Sequence, residues 1–491
     1  MSQSATQVAK PPARRVARRT EGRFTGLASF WAQFRRRTYG MVGLIILLLF
    51  TFMALAAPWL TPYKPEDMYL ADRLAAPVWA TYLPRFRGAP PTMRYTIDHD
   101  RWQLSQQKKA TISHEADAER GDLTVVQLSP VLPGEEPASA DLSFTVHYPY
   151  DPPQTFDASF SYAVEAPGDA QTTLAYVIVD PHGTEFTVWD ATVYGSTGWT
   201  SDTVDSRNFL VKNKLGLSFF DDPAKVVFAN KGDYRLVLRV SSSAASEAVR
   251  VSIAPLQANV LGLLHGLLGT DHVGADLWTQ LVYGARISLI IGILAAVMAV
   301  AIGTFIGLVS GYLAGKIDEF FMRTADVFLS VPTLPILIIL SAFLGKHIGN
   351  IVLLVAAFSW MTTSRVVRSQ TLSLKQRAFV EAARAAGAGS RYIMVTHLLP
   401  NVFPMVVANT VLMMPVAILY EAALSFLGLG DPRIPTWGRM LQNARAFGAF
   451  TDLAWWWLIP PGLAITLLTL SFTLIGNAVN EVLNPRYRER T

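Results

Sequence analysis

Cysteine is absent from all 491 residues, which excludes a disulfide framework and any thiolate metal site. A phosphate loop of the form GxxxxGK[ST] is also missing. The nearest approach, at Gly315 and Lys316, has Ser310 where the first glycine belongs and Ile317 where the hydroxyl residue belongs, so the chain does not cradle nucleotide by that device. There is no HExxH, no GxSxG and no carboxylate pair in a recognisable catalytic frame. Charge is scarce too: 16% of residues are charged against 51% hydrophobic, a balance too apolar for an ordinary soluble domain.

What is present comes in blocks. Six segments are long and apolar enough to cross a bilayer, which takes about 20 residues of helix: 39–60, 287–313, 325–344, 348–367, 402–427 and 453–482. The third holds Pro332 and Pro335, the fifth Pro404 and Pro415, the sixth Pro460 and Pro461. In lipid such breaks survive where neighbouring helices or water satisfy the freed carbonyls, so these spans are expected to line the interior of a bundle.

The net charge of +5 conceals a division. Residues 61–270 carry 17 Lys and Arg against 25 Asp and Glu, a net −8, and the remainder carries +13. The basic residues flank apolar runs instead of forming a stripe, so they speak for membrane topology and not for nucleic acid. Lys10, Arg14, Arg15, Arg18, Arg19, Arg23, Arg35, Arg36 and Arg37 precede the first span and place the N-terminus in the cytoplasm. Six crossings return Arg486, Arg488 and Arg490 to that side. The loop bearing Arg365, Arg368, Lys375, Arg377, Arg384 and Arg391 also lies inside, and the acidic segment lies outside. Ala54, Leu55 and Ala56 resemble a signal-peptidase site whose use would leave five spans. The long basic leader and the apolar continuation through Pro58, Trp59 and Leu60 favour a retained anchor.

Within 61–262 the texture changes. Stretches 143–148, 173–179, 185–194, 234–240 and 248–254 alternate or run β-branched and aromatic residues, separated by turn signals at 180–183 and 231–233. They predict an antiparallel sandwich of immunoglobulin-like or jelly-roll type. The part before about Asp122, rich in proline and polar residues, receives no assignment. His99, His114, His147 and His182 are scattered, and Asp221 with Asp222 is a solvated loop pair before it is a calcium site. The insert is read as a binding or spacer module.

Residues 380–400, VEAARAAGAGSRYIMVTHLLP, stand between two apolar runs. Four alanines favour helix, Glu381 suits the start of its dipole, and Gly387 ends it or allows a close turn. Small side chains permit another backbone to come near. The alternatives are a plain cytoplasmic hairpin and a docking knob for a second protein.

Here the residues carry a resemblance. Glu381, Ala382, Ala383 and Gly387, followed by His397, Leu398, Leu399, Pro400 and Asn401, resemble the EAA loop of ABC importer permeases. The His-Leu-Leu-Pro-Asn ending is similar to the dipeptide, oligopeptide and nickel branch. AAPWLTPY at 56–63, LGTDHVGADLWTQLVYGARISL at 268–289, EAALSFLGLG at 421–430 and PTWGRML at 435–441 resemble the same branch, its second, C-type permease in particular. Departures are Ala275 where an arginine is usual, Asn477, Asn480 and Asn484 where charges are common, and the large insert itself.

The resemblance implies an α-helical membrane protein with six transmembrane helices of the type I importer kind, carrying an inserted all-β external domain. Its parts are a basic leader at 1–38, a first span at 39–60, the insert at 61–262 and a permease core at 263–491 with a coupling loop at 370–400. It implies a non-catalytic subunit of the plasma (inner) membrane that binds no cofactor, with ATP and magnesium held by two partner ATPases. The other implied partners are a second homologous permease, an extracytoplasmic binding protein and the lipid bilayer.

Ala382, Ala383 and Gly387 would form the surface contacting the ATPase, and Leu399 and Pro400 would complete the loop. Glu381 either pairs with a basic ATPase residue or caps its own helix. Arg384 and Arg391 meet acidic ATPase groups or lipid headgroups, and His397 packs within the loop. Candidate translocation-path residues are Glu421, Pro415 and Pro335. Arg323 and Asp326, three apart, are expected to pair at a helix end. Peptides lead as substrate class, with nickel chelates and oligosaccharides open. A membrane-anchored binding or sensory protein is the main rival and would need neither six spans nor the alanine-rich knob. An ion-driven carrier would need more charge inside its spans.

Overall fold

The computed structural model describes residues 23–132, 134–168, 170–244 and 246–483. The basic residues before Arg23, together with Arg486, Arg488, Arg490 and Asn484, lie outside the described residues. The chain falls into two compact units. One consists of the described residues up to Thr51, residues 289–421 and those from Thr466 onward; the other consists of residues 52–288 and 422–465.

The first unit is helical. Among the described residues, five helices are long and apolar enough to cross a membrane: Thr38–Leu55, Leu277–Leu313, Ile348–Lys375, Ser390–Phe426 and Trp455–Leu483. The third of these is made of Ile348–Ala357 and Trp360–Lys375 joined through Phe358 and Ser359. Pro404, Pro415, Pro460 and Pro461 all sit inside helices.

The expected span over 325–344, which holds Pro332 and Pro335, is sharply broken. Gly315–Ser330 and Thr333–Leu344 meet at 91°, and a sixth crossing exists only if this bent pair is counted as one. The cause is local: a residue before proline is driven out of the helical region, and Val331, preceding Pro332, is extended at φ −100°, ψ 135°. The helix Gly315–Ser330 also carries Asp318, Glu319, Arg323 and Asp326, charges that an apolar rod would not hold.

Close packing in this unit depends on a glycine stripe. Gly303, Gly307 and Gly311, four apart along Leu277–Leu313, face Trp360–Lys375. A Cβ on them would lie 2.6 Å from the Trp360 carbonyl oxygen, 2.6 Å from that of Ser364 and 2.7 Å from the Thr371 Cβ. Without side chains the two backbones approach closely, and dispersion replaces the hydrophobic drive that lipid does not supply.

The second unit holds the β-domain, and every strand pairing in it is antiparallel. One sheet runs Met93–Ile97, Leu256–Leu261, Thr155–Glu165, Val249–Ile253, Gly121–Leu128, Ala110–Asp117, with Thr197–Asp205 also on Thr155–Glu165. The other runs Gln103–Lys108, Ala138–Tyr148, Gly232–Ser242, Gln171–Val179, Glu185–Tyr194. The five stretches read from sequence are all strands, and the unassigned part before Asp122 supplies three more.

Both sheets feed one core. Val126, Phe160 and Ala258 from the first meet Leu142, Tyr176 and Leu238 from the second, as the two-residue period of a half-buried strand requires. Aromatic rings close one part of it: Phe228 lies 5.1 Å from Tyr148, 4.7 Å from Tyr234 and 5.8 Å from Phe156 between centroids. On the second sheet Arg239 grips the buried Asp141 with both Nε and Nη2 at 3.0 Å and reaches Glu185 at 3.1 Å. Its guanidinium is thereby held charged, its pKa raised by hydrogen bonds to the two carboxylates.

Candidate functional site

The coupling segment begins where Trp360–Lys375 ends. Gln376 and Arg377 turn the chain, and Ala378–Ala385 forms a two-turn helix with Glu381 in its first turn. Val380 points inward and is fully buried with Ile393, Leu398, Val402, Val367, Leu308 and Tyr312. The apolar side thus fixes the helix to the bundle.

A Schellman turn stops the helix. Gly387 is at φ +82°; its N–H donates to the Arg384 carbonyl and that of Ala388 to the Ala383 carbonyl, both at 3.0 Å. Glycine takes this left-handed position without the Cβ penalty. From Ser390 the chain re-enters a helix that passes through a π-helical turn, Ile393–Leu398, into Leu399–Phe426. Glu381, Ala382, Arg384, Gly387 and Pro400 are exposed, whereas Ala383 and Leu399 are half-buried against the apolar cluster. His397 packs against Tyr392 and Phe379, with ring centroids at 5.6 and 6.3 Å. The Arg384 guanidinium lies over the Tyr312 ring at 5.8 Å.

Three exposed residues of this surface escaped the sequence reading: Phe379, Tyr392 and Val395. Phe379 and Tyr392 stand beside the buried Val380 and Ile393, and Val395 beside the half-buried Met394, and only the fold tells which of each pair faces out.

The second unit brings together two further motif-bearing stretches. Asp271, buried, accepts from the Val273 and Ala275 amides at 2.9 and 3.0 Å and from Gln280 Nε2 at 2.8 Å. Asp276 accepts from the Thr279 amide and hydroxyl at 2.7 Å, at the start of Leu277–Leu313. Trp437, fully buried, donates from Nε1 to the Leu281 carbonyl at 2.9 Å. Between 268–289 and 435–441 lies a pocket of about 140 Å³ lined by Asp271, Ala275, Gln280, Thr436, Arg439 and Asn443. Burial holds the Arg439 pKa below its ordinary value, opposed by the nearby Asp271 and Asp431.

Residues 303–489 match the family described as binding-protein-dependent transport system inner membrane component, and residues 27–77 match the N-terminal TM domain of oligopeptide transport permease C. A putative peptide transport system permease protein of Brucella suis is 36% identical over 228 residues, 46% of this chain and 75% of that one. The chain belongs to this permease family. The oligopeptide transport system permease protein OppC of Haemophilus influenzae is 38% identical over 221 residues, 45% of this chain and 70% of its own length. Among solved structures, a family 29 carbohydrate binding module is similar at 11% identity and a TM-score of 0.20, over 35% of this chain and 90% of that one. A score that low bears on neither fold nor function.

In this permease the charged residues next to the coupling segment pair between helices. Asp318 accepts from Arg368 Nε and Nη2 at 2.5 and 2.6 Å, and Asp326 pairs with Arg365. The expected Arg323–Asp326 pair is therefore corrected. Arg323 instead lies 3.5 Å from Glu319, one turn back on its own helix, because Arg365 on the neighbouring helix meets Asp326. Of the candidate path residues, Pro335 stands in the first turn of Thr333–Leu344, Pro415 inside Leu399–Phe426, and Glu421 further along the same helix, buried.

Proposed function

We propose that this permease subunit is one half of the membrane pore of an ATP-driven importer of di- and oligopeptides, and that Ala378–Ala385 is its coupling helix. The observation that carries the reading is the two-sided build of that helix: Val380 buried in the bundle, Ala382 and Gly387 bare on the other side. A surface of small side chains, rimmed by exposed Phe379, Tyr392 and Val395, suits insertion into a groove of a separate ATPase. Two ATPase subunits, a second permease and an extracytoplasmic binding protein complete the assembly, with the termini cytoplasmic and the β-domain outside. Closure of the ATPase pair pushes the coupling helix, and Ser390–Phe426, continuous with span five, carries the push into the membrane as rigid-body rocking. The names of the peptide and oligopeptide relatives support peptides as the cargo.

The test is co-purification. Ala382→Trp adds bulk to the bare face without touching the buried one, and is expected to abolish retention of the ATPase subunits on the tagged permease. Gly387→Asn, which tolerates the left-handed turn, is expected to retain them. An Ala382→Trp complex that purifies intact and hydrolyses ATP at the normal rate would sink the coupling role.

A further inference from the structure

Within the helical unit, a cavity of about 450 Å³ opens beside two interrupted spans and a third that carries prolines inside its helix. Its wall includes Thr333 at the 91° break, Phe358 and Ser359 at the gap between Ile348–Ala357 and Trp360–Lys375, and Asn409, Met413 and Tyr420 on Leu399–Phe426. Pro415 lies among the last three and withdraws the N–H that would otherwise bond the Val411 carbonyl. The volume is in the range of small-ligand sites.

Two polar atoms in this wall have nothing to bond. Ser359 is 7% exposed and its Oγ has no hydrogen-bond partner, although it sits at the N-cap of Trp360–Lys375, where a serine ordinarily accepts from the backbone. Asn409 Nδ2 is likewise buried without an acceptor. An unsatisfied polar group is costly away from water, and two of them share one cavity. No charged side chain is among the lining residues.

From this we infer that the cavity is a binding site for the uncharged backbone of the transported peptide. Asn409 donates to a peptide carbonyl, and Ser359 Oγ exchanges a hydrogen bond with a peptide amide. A lining without charge fits neutral amide units, not ionised termini or a metal chelate. Recognition through backbone groups is indifferent to side chains, as a carrier of mixed peptides requires. The site rests on the peptide-permease reading and is tested so that the two fail separately.

The experiment uses the full complex, with its ATPases and binding protein, in proteoliposomes. Wild type must take up radiolabelled trialanine; failure there sinks the peptide reading before the cavity is at issue. In Ser359→Cys, a near-isosteric change that gives this chain its one thiol, modification by a small methanethiosulfonate is read by mass. During turnover with trialanine it is expected to slow at least fivefold relative to ATP hydrolysis without peptide. Asn409→Leu is expected to lower trialanine uptake about tenfold, and Ser359→Cys decides alone if that variant does not assemble. A modification rate indifferent to trialanine, equal protection by maltotriose, or wild-type uptake by Asn409→Leu would overturn the assignment.

Discussion

Gly307→Ala measures how tightly the bundle beneath the coupling segment is drawn. At this position a Cβ would stand 2.6 Å from the Ser364 carbonyl oxygen, 2.7 Å from the Val367 Cβ and 3.0 Å from the Arg368 amide nitrogen. Ordinary carbon contacts need about 3.5–4.0 Å, so the two helices must part by roughly 1 Å. Two of the three neighbours are backbone and cannot rotate away, and Val367 is fully buried. Overpacking of this kind costs about 1–3 kcal/mol, and loosening the flanking contacts at Gly303 and Gly311 sets the value near 2 kcal/mol, roughly thirtyfold in the folded ratio. The control is Gly462→Ala, inside Trp455–Leu483 with nothing within 4 Å of a Cβ, where relief of glycine's backbone freedom gains about 0.5–1 kcal/mol. Titrating purified protein in mixed micelles with dodecyl sulfate, followed by tryptophan fluorescence, should rank the midpoints Gly462→Ala at or above wild type and Gly307→Ala clearly below. Equal midpoints for Gly307→Ala and wild type, or an equal fall in both variants, would refute the close-approach argument.

Removing one member of the half-buried Asp318–Arg368 pair, as Arg368→Ala, should cost about 1.5–3 kcal/mol in the same titration, and the exchanged double variant Asp318→Arg with Arg368→Asp should recover part of it. Acid should weaken the second unit through His265. Burial holds this imidazole below its ordinary 6.5, outweighing Asp276 at 3.7 Å, while Arg94 pushes the same way as burial. Below pH 6.5 the unfolded chain therefore takes up the proton first, and stability falls with pH until the lowered folded value is reached, returning in full above 6.5. Thermal melts between pH 5 and 8 should show that slope, flattened in His265→Gln; an unchanged slope would exclude His265 as its source.

Long features were legible in the sequence and pairings were not. Apolar runs announced the helices because length alone decides whether a rod can span lipid, and alternation announced Gly232–Ser242 because one face is buried. Gln103–Lys108 escaped, since an edge strand exposed at every residue has no alternation to read. Pro332 was visible, but a proline inside an apolar run is either carried within a helix, as Pro415 is, or breaks it, as here; the charges of Gly315–Ser330 were the available clue. Likewise the four-residue spacing of Gly303, Gly307 and Gly311 was on view, whereas the preference of Asp326 for Arg365 over Arg323 depends on which helices adjoin. Within the coupling segment, the alanines and Gly387 could be read; the outward turn of Phe379, Tyr392 and Val395 could not.

The two strands that open and close the β-domain leave it side by side. Thr92 donates its amide to the Leu264 carbonyl at 2.9 Å, Gly262 donates to Thr92 Oγ1 at 3.3 Å, and Pro91 and Ala76 both bridge to Leu264. A body of some 170 residues thus has its entry and exit already stitched together. Such a graft can be gained, lost or exchanged for a short turn without stretching the chain on either side, so the permease and its β-domain are free to evolve on separate schedules.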